Sequence, residues 1–135
     1  MMNAPQARRL LSTNANPDTH SDYVVGIEAE TPPLPGLGGV RVALRYVPDK
    51  LILGPVCLDG YLSALAGRPW TNLEGLALTL RDDLNDVLVP RWLELSIHPV
   101  EALSAIRHGV LVEDRQPHWH NPTLLAGLTP RSPMN

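Results

Sequence analysis

One carboxylate stands where a helix is predicted to begin, and it could either bind a ligand or cap the helix. The run Thr71-Asn72-Leu73-Glu74 precedes an apolar stripe with helical spacing. A carboxylate offers two acceptor oxygens, and its hydrogen bonds to N–H donors are strengthened by the charge. The same Thr-x-x-Glu spacing is that of a capping box, in which Thr71 and Glu74 satisfy backbone N–H groups of the first turn. From these residues alone the capping role is favoured.

The single cysteine, Cys57, is the next side chain that could carry chemistry. It lies near the start of a predicted helix, where the helix dipole can lower the pKa of a thiol. Free cysteine is also commonly a small buried hydrophobic residue, and this role is favoured because no histidine is adjacent in sequence. A reactive thiolate would require His98 or His108 to approach it in the fold. One cysteine excludes an intramolecular disulfide.

Two further polar motifs lie in the C-terminal third. Arg107-His108-Gly109 precedes a predicted strand. Its guanidinium could hold a phosphate or a carbonyl oxygen, or it could simply face solvent. His118-Trp119-His120 places two imidazoles on one side of an extended chain. Because zinc needs at least a third ligand, we expect no metal there.

Composition indicates one slightly acidic globular domain. The chain has 135 residues, of which 44% are hydrophobic and 19% charged, and its net charge is −3. With no phenylalanine, the core must consist mostly of leucine and valine. The negative net charge gives no electrostatic reason to bind a phosphate backbone, so we expect no direct nucleic-acid binding. No run approaches the roughly 20 apolar residues of a membrane span, and we expect a cytoplasmic protein without membrane contact.

Hydrophobic periodicity predicts an α+β fold in the order β-β-α-α-β-β, with antiparallel strands and helices on one face. Strands are expected over residues 22–30, 40–46, 91–97 and 107–112. Helices are expected over residues 57–66 and 73–88, with a helical turn over 99–105. The proline- and glycine-rich stretch 31–39 must be a loop between the first two strands.

Three parts of the chain are distinguished by composition. Residues 1–20 are polar and are expected to form a flexible arm, whereas residues 21–113 form the folded domain. Residues 114–135 are rich in proline and are expected to form an irregular tail.

The ordered set of motifs resembles the 7-cyano-7-deazaguanine (preQ0) reductases of queuosine biosynthesis, which have the tunnelling fold. The resemblance covers residues 22–112 and rests on Leu44-Arg45-Tyr46-Val47-Pro48-Asp49-Lys50, the helix around Tyr61, Thr71–Glu74 and Pro90-Arg91-Trp92. It implies subunits that join their sheets into barrels and place sites between subunits. We therefore expect a homo-oligomer that binds a purine or 7-deazaguanine-type small molecule.

The resemblance also implies roles for individual residues. Glu74 matches a glutamate that holds the guanine-like edge of the substrate, and its two oxygens suit the adjacent N–H donors of a 2-aminopyrimidinone. Arg107-His108-Gly109 resembles the Arg-Gly-Gly strand start of the reductases. Glu74, Arg107 and His108 are therefore the candidate substrate-binding residues.

The nucleophile that the resemblance implies is not found. The reductases attack the nitrile carbon with a cysteine to form a thioimide, an aspartate handles protons, and NADPH delivers hydride twice. The matching positions fall near Thr31 and Gly38, and loop 31–39 contains no Cys, Asp, Ser or His. Thr31 and Cys57 are the remaining weak candidates. NADPH is implied by the resemblance only, because Gly54-Pro55-Val56-Cys57 replaces the family's Glu-x-Lys-Ser cofactor motif.

Three functions remain open. The first is a divergent reductase relative that binds a purine or deazapurine, for which standard NADPH-dependent nitrile reduction is not expected. The second is a non-catalytic assembly subunit with the same fold. The third is a pterin- or GTP-type tunnelling-fold enzyme that uses His98, His108 or the C-terminal histidine pair.

Overall fold

The computed structural model describes residues 7–101 and 105–134 of the protein. The strands are β1 (Thr13–Ala15), β2 (Val25–Glu30), β3 (Val40–Val47), β4 (Leu51–Leu53), β5 (Trp92–Pro99) and β6 (Val110–Arg115). The helices are α1 (Cys57–Ala64), α2 (Leu73–Leu88) and α3 (Pro122–Ala126), and a 3₁₀ turn at Leu65–Gly67 follows α1.

The main sheet has four antiparallel strands in the order β2-β3-β5-β6. Helix α2 packs on it against β5 and β6. The alternation of β5 turns Leu93, Leu95 and Ile97 towards the core, where each is 0% exposed. The α+β class and the antiparallel pairing of the first two predicted strands are confirmed, whereas the tunnelling fold stays a prediction.

Several boundaries differ from the sequence expectations. The first strand begins at Val25 rather than at residue 22, and the last is shifted towards the C-terminus, to Val110–Arg115. This strand crosses the predicted domain boundary after residue 113. The helical turn predicted over 99–105 lies partly outside the described residues, and β5 itself extends to Pro99.

The N-terminal segment is not a loose arm in its described part, and this prediction was wrong for residues 7–16. Strand β1 pairs antiparallel with β4, with Thr13 opposite Leu53, and adds a second, two-stranded sheet to the predicted element order. Ala7 and Leu11 are buried in the core. Strands of three residues are too short to show periodicity, and their pairing is long-range, so no sequence pattern indicated them.

The C-terminal segment is also less irregular than predicted. It contains the short helix α3 and then crosses the face of the main sheet opposite α2. There Arg45 Nη1 donates to the carbonyl of Thr129 at 2.8 Å, and Ser96 Oγ donates to the carbonyl of Ser132 at 3.3 Å. These bonds hold the segment on the sheet, and they join residues that are far apart in sequence.

Asp22, which precedes β2, bonds to Arg91 and to two residues of the C-terminal segment. Its Oδ1 accepts from Arg91 Nη1 at 2.9 Å, and its Oδ2 accepts from Trp119 Nε1 at 3.0 Å and from Asn121 Nδ2 at 2.9 Å. Burial acts to raise the pKa of Asp22, but the hydrogen bonds from Asn121, Arg91 and Trp119 outweigh it and lower the pKa below 3.8. The ionised carboxylate is therefore the form that the fold prefers.

This lowered pKa predicts a loss of stability in acid. Because the folded-state pKa lies below the ordinary value of 3.8, the contribution of Asp22 is complete above that value and is lost as pH falls through the folded-state pKa. Urea unfolding at pH 7, 4, 3 and 2 should show wild type exceeding Asp22→Asn most at pH 7, with the gap closing below pH 4. A gap that stays constant down to pH 2 would contradict this role.

Val89 ends α2 in a strained backbone conformation. Its φ and ψ are 45° and 55°, the left-handed region that glycine normally supplies at a helix C-terminus, and its side chain is 58% exposed. A β-branched residue there is strained by about 1–2 kcal/mol. Part of that strain is offset because valine restricts the unfolded chain more than glycine does.

Val89→Gly is therefore expected to raise the free energy of unfolding by about 0.5–1 kcal/mol. The matched control is Leu78→Gly within the same helix, which should lower it by about 1 kcal/mol because the helical backbone there is unstrained. Urea denaturation of both variants measures the two effects. A loss of stability in Val89→Gly would show that the left-handed valine is not strained.

Candidate functional site

The candidate residues lie around one end of the main sheet, which we call the loop end. There β2 ends and β3 begins, with Glu30 opposite Arg41, and β5 ends where β6 begins, with Ile97 opposite Val110. Loop 31–39 projects from this end and packs against the segment that leads into α2. Trp70 N donates to the carbonyl of Pro35 at 2.9 Å. The start of α2 is therefore a neighbour of the loop.

Helix α2 begins with an asparagine cap, so the predicted capping box is wrong. Asn72 Oδ1 accepts from the backbone N–H of Gly75 at 2.7 Å, and Asn72 rather than Thr71 is the N-cap residue. Both residue types are good caps, and their spacing to Glu74 did not distinguish them. Among the described residues, Glu74 makes no capping bond.

Glu74 contacts His108 instead. The Oε1 of Glu74 lies 3.2 Å from the Nε2 of His108, and the two side chains are 58% and 51% exposed. Two of the three predicted substrate-binding residues are thus brought together although they are far apart in sequence. The carboxylate sits in the first turn of α2, where the helix dipole favours a negative charge. More than half of the side chain is exposed, so a ligand can reach it.

A cavity of about 360 Å³ lies beside loop 31–39. Its walls are formed by the end of β2, by the loop and by the residues that follow β5, and they include Glu30, Thr31, Gly38, Val100 and Glu101. The volume falls in the lower part of the range for small-molecule sites, about 300–1,000 Å³. The loop was predicted from its prolines and glycines, but Val100 and Glu101 were not predicted to reach it, because no local pattern links them to it.

Thr31 and Gly38, the positions expected for the nucleophile and the acid, both line this cavity. Thr31 is 7% exposed, and its Oγ1 accepts from the backbone N–H of Val40 at 3.0 Å. The hydroxyl therefore ties the two ends of the loop together. Gly38 has a φ of +74°, which favours glycine over a residue with a side chain. Neither position supplies an activated nucleophile or a carboxylic acid.

Cys57 is held by the N-terminal segment. Its Sγ accepts from the backbone N–H of Ser12 at 3.3 Å, and the residue packs against the core. In the part of the chain that the structure describes, its hydrogen bonds go to Ser12 and not to His98 or His108. This environment matches a structural cysteine.

The stretch that replaces the family's cofactor motif does not fit NADPH. Gly54 N donates to the carbonyl of Ser12 at 2.9 Å, and a Cβ on Gly54 would lie 3.1 Å from Ser12 Oγ. The N-terminal segment thus packs directly on residues 54–57, which carry no charged side chain.

His98 and Arg107 also lie near the loop end. Burial lowers the pKa of His98, and the charges of Arg41 and Arg107 lower it further, so the imidazole is neutral at pH 7. Its Nδ1 is buried and has no hydrogen-bond partner among residues 7–101 and 105–134. Arg107 is exposed and forms no ion pair within the same described ranges. The structure leaves its predicted role untested.

The C-terminal histidines His118 and His120 are exposed, whereas Trp119 between them binds Asp22. The described residues contain no cluster of three or more His, Cys, Asp or Glu side chains suited to a metal ion. No helix in the described ranges is long and apolar enough to cross a membrane.

Comparison with known proteins gives a distant relationship that extends over most of the chain. Two curated proteins from strains of Acidithiobacillus ferrooxidans, each named NADPH-dependent 7-cyano-7-deazaguanine reductase, are 30% identical to it over 128 residues. The match covers 91% of this chain and 89% of each relative. The chain belongs to the 7-cyano-7-deazaguanine reductase family. No protein-family model matches the sequence.

Family membership confirms the relationship predicted from the motifs. It also shows which family feature loop 31–39 lacks, namely the cysteine nucleophile. A 7-cyano-7-deazaguanine reductase requires a nucleophile, yet loop 31–39 has no cysteine, and Cys57 lies against Ser12. Glu74 and His108 remain as a contacting pair at the loop end. The role of Glu74 in binding a base stays a prediction, and the positions expected for the reactive thiol hold no cysteine.

Proposed function

We propose that this protein is a divergent member of the 7-cyano-7-deazaguanine reductase family that binds a 7-deazaguanine- or guanine-type base through Glu74 but does not reduce the nitrile. The observation that supports this most strongly is the Glu74–His108 contact of 3.2 Å. A capping carboxylate would bond to backbone N–H groups of its own helix. Asn72 fills that role, which leaves Glu74 available for a ligand.

The chemistry of Glu74 suits the edge of a guanine-like ring. Such a ring presents a ring N–H and an exocyclic amino group side by side, and a carboxylate can accept from both at once. The first turn of α2 stabilises the negative charge, and His108 Nε2 lies 3.2 Å from one of the carboxylate oxygens. A base held in this way would lie near the cavity beside loop 31–39.

Reductive chemistry has no support from the same residues. Thr31 is engaged with the backbone of Val40, Gly38 carries no acid, and residues 54–57 do not fit NADPH. The proposed activity is therefore base binding within 7-deazaguanine metabolism, without a covalent intermediate.

Oligomer formation would complete such a site. Glu74 and His108 are each more than half exposed in the single chain, so a base bound only by them would remain open to water on one side. Strands β2 and β6 form the two edges of the main sheet. A second copy joined along one of these edges would supply another wall, and we propose a homo-oligomer on this basis.

Thermal-shift titration of the purified protein tests the proposal. The ligands are 7-cyano-7-deazaguanine, guanine, GTP and a pterin, each with and without NADPH. A ligand at about 100 times its Kd stabilises the fold by about 2.7 kcal/mol, which corresponds to a shift of several degrees. We expect this shift with 7-cyano-7-deazaguanine and with guanine, and no consumption of NADPH.

Other outcomes would overturn the proposal. No shift with any ligand would favour the assembly subunit, whereas a shift restricted to GTP or the pterin would favour the third function. Oxidation of NADPH in the presence of 7-cyano-7-deazaguanine would show that a nucleophile exists outside the predicted positions.

A further inference from the structure

The last part of the C-terminal segment crosses the face of the main sheet opposite α2 and runs towards the loop end. The carbonyl of Thr129 accepts from Arg45 of β3, and the carbonyl of Ser132 accepts from Ser96 of β5. In the ladder of these two strands, Ser96 lies nearer the loop end than Arg45 does. We call residues 128–133 the strap.

The strap lies on the surface of the sheet and adds nothing to the core. None of its residues is buried. Besides its two hydrogen bonds to the sheet, it forms an ion pair between Arg131 and Glu28 at 3.3 Å, and the side chain of Glu28 is 68% exposed. Exposed ion pairs of this kind contribute little to stability. The strap can therefore lift from the sheet without opening the hydrophobic core.

Gly109 lies under the end of the strap, where no side chain fits. A Cβ on Gly109 would overlap the carbonyl oxygen of Pro133 and would lie 2.6 Å from its carbonyl carbon. This distance is well below that of van der Waals contact, and both atoms belong to the backbone. A side chain at this position would therefore push the strap away. Glycine lets the strap lie directly on the residue that leads into β6.

Gly109 directly follows His108, the residue that contacts Glu74. The ladder between β5 and β6 begins only at Val110, so both residues lie just outside it. Pro133 lies against Gly109 on the face of the sheet opposite α2. On the other face, which carries α2, Glu74 Oε1 lies 3.2 Å from His108 Nε2. The strap and Glu74 thus contact adjacent residues from opposite sides, as the alternation of an extended chain requires.

We propose that the strap positions His108 against Glu74, so that the docked strap and a bound base stabilise each other. When the strap lifts, the chain before Val110 loses its contact on that face, and His108 is no longer held at Glu74. The inference rests on the proposed function, because its ligand is the base assigned to Glu74. By linkage, a base that prefers the docked form raises the population of that form by the same preference.

Cleavage by trypsin measures how often the strap lifts. Trypsin cuts after arginine, and the Arg131–Ser132 bond lies inside the strap. Loss of residues 132–135, followed by intact mass, reports the lifted population when lifting is fast relative to cleavage. Arg9, which is exposed in the N-terminal segment, supplies an internal control site. Saturating 7-cyano-7-deazaguanine should slow cleavage after Arg131 at least about fivefold and leave cleavage after Arg9 unchanged.

Gly109→Ala tests the contact under the strap. The added methyl group collides with Pro133, so cleavage after Arg131 in the ligand-free protein should be at least about tenfold faster. The Kd for 7-cyano-7-deazaguanine should rise at least about fivefold. Gly26→Ala is the matched control, because Gly26 lies opposite Arg45 on the same face and a Cβ there meets no heavy atom within 4 Å. This control should be cleaved, and should bind the base, as wild type does.

Glu74→Ala tests the same coupling without a ligand. If the docked strap holds His108 against Glu74, loss of this exposed contact should make cleavage after Arg131 about two- to fivefold faster. Asp82→Ala removes an exposed carboxylate elsewhere on α2 and should leave the cleavage rate unchanged.

The inference is overturned if base-bound wild type loses residues 132–135 as fast as the free protein does. It is also overturned if Gly109→Ala is cleaved faster and yet binds the base with the wild-type Kd. A wild type that binds no base contradicts the proposed function alone. The ligand-free rate of Glu74→Ala then decides whether the strap positions His108, since faster cleavage supports this role and an unchanged rate overturns it.

Discussion

Replacing Asp83 with alanine is expected to lower the free energy of unfolding by about 1–3 kcal/mol, the cost of leaving a buried hydrogen-bond donor without its acceptor. Asp83 is 1% exposed on the inner face of α2. Its Oδ2 accepts from the hydroxyl of Tyr61 at 2.6 Å, and its Oδ1 accepts from Arg8 Nε at 2.8 Å. Removal of the carboxylate would leave the Tyr61 hydroxyl without its acceptor, whereas Arg8 is 38% exposed and keeps its ion pair with Asp86 at 2.6 Å.

Tyr61 makes this loss severe because its hydroxyl stays a buried donor. The residue is 0% exposed, and burial together with Asp83 raises its pKa far above the ordinary value of 10.0. The Tyr61 hydroxyl therefore stays protonated and would remain a buried donor without an acceptor. The Arg8 contact also ties the N-terminal segment to α2, so the variant should loosen the pairing of β1 with β4.

Urea denaturation measures the effect, with two controls on the same protein. Asp82→Ala changes the adjacent exposed carboxylate, which bonds to Arg81, and should alter stability by less than about 0.5 kcal/mol. Tyr61→Phe combined with Asp83→Ala should be less destabilised than the sum of the single variants, because the orphaned hydroxyl is gone. A change below about 1 kcal/mol in Asp83→Ala would contradict the role of this buried cluster.

Replacing Glu74 with alanine is expected to weaken the binding of 7-cyano-7-deazaguanine at least about 100-fold. Two charge-assisted hydrogen bonds to the base would be lost, each contributing about 1.5–3 kcal/mol. The fold should hardly respond, since Asn72 caps α2 and Glu74 is 58% exposed. The lost dipole interaction lowers the free energy of unfolding by about 0.3–1 kcal/mol at most.

Calorimetric titration gives the Kd, and melting of the ligand-free protein gives the stability. Asn72→Ala is the stability control, because it removes the cap and should cost about 1 kcal/mol. Asp82→Ala is the binding control, because it removes an exposed carboxylate elsewhere on α2 and should leave the Kd unchanged. An unchanged Kd in Glu74→Ala would show that this carboxylate does not hold the base.

Much of the fold could be predicted from the hydrophobic periodicity of the sequence. The alternation of Val40, Val42 and Leu44 placed a strand, and the apolar stripe from Leu73 to Leu88 placed the long helix. The N-cap was misplaced by one residue because Thr71 and Asn72 are both capping residue types. The two-stranded sheet of β1 and β4 was missed because each strand is only 3 residues long.

The candidate site could be predicted only in part, because it depends on contacts between residues that are far apart in sequence. The chemistry of Glu74 and His108 could be read from their residue types, but their contact depends on how β6 is placed beside α2. The cavity depends in the same way on Val100 and Glu101 reaching loop 31–39. Ordering of the C-terminal segment rests on bonds to Asp22 and Arg45, which no local pattern encodes.

Intact-mass spectrometry of the protein incubated with 7-cyano-7-deazaguanine tests most directly whether base binding persists without the family's covalent chemistry. Spectra are recorded under native and under denaturing conditions. We expect one ligand mass per chain in the native spectrum and no added mass after denaturation. A ligand mass that survives denaturation, or a native spectrum without ligand, would contradict it.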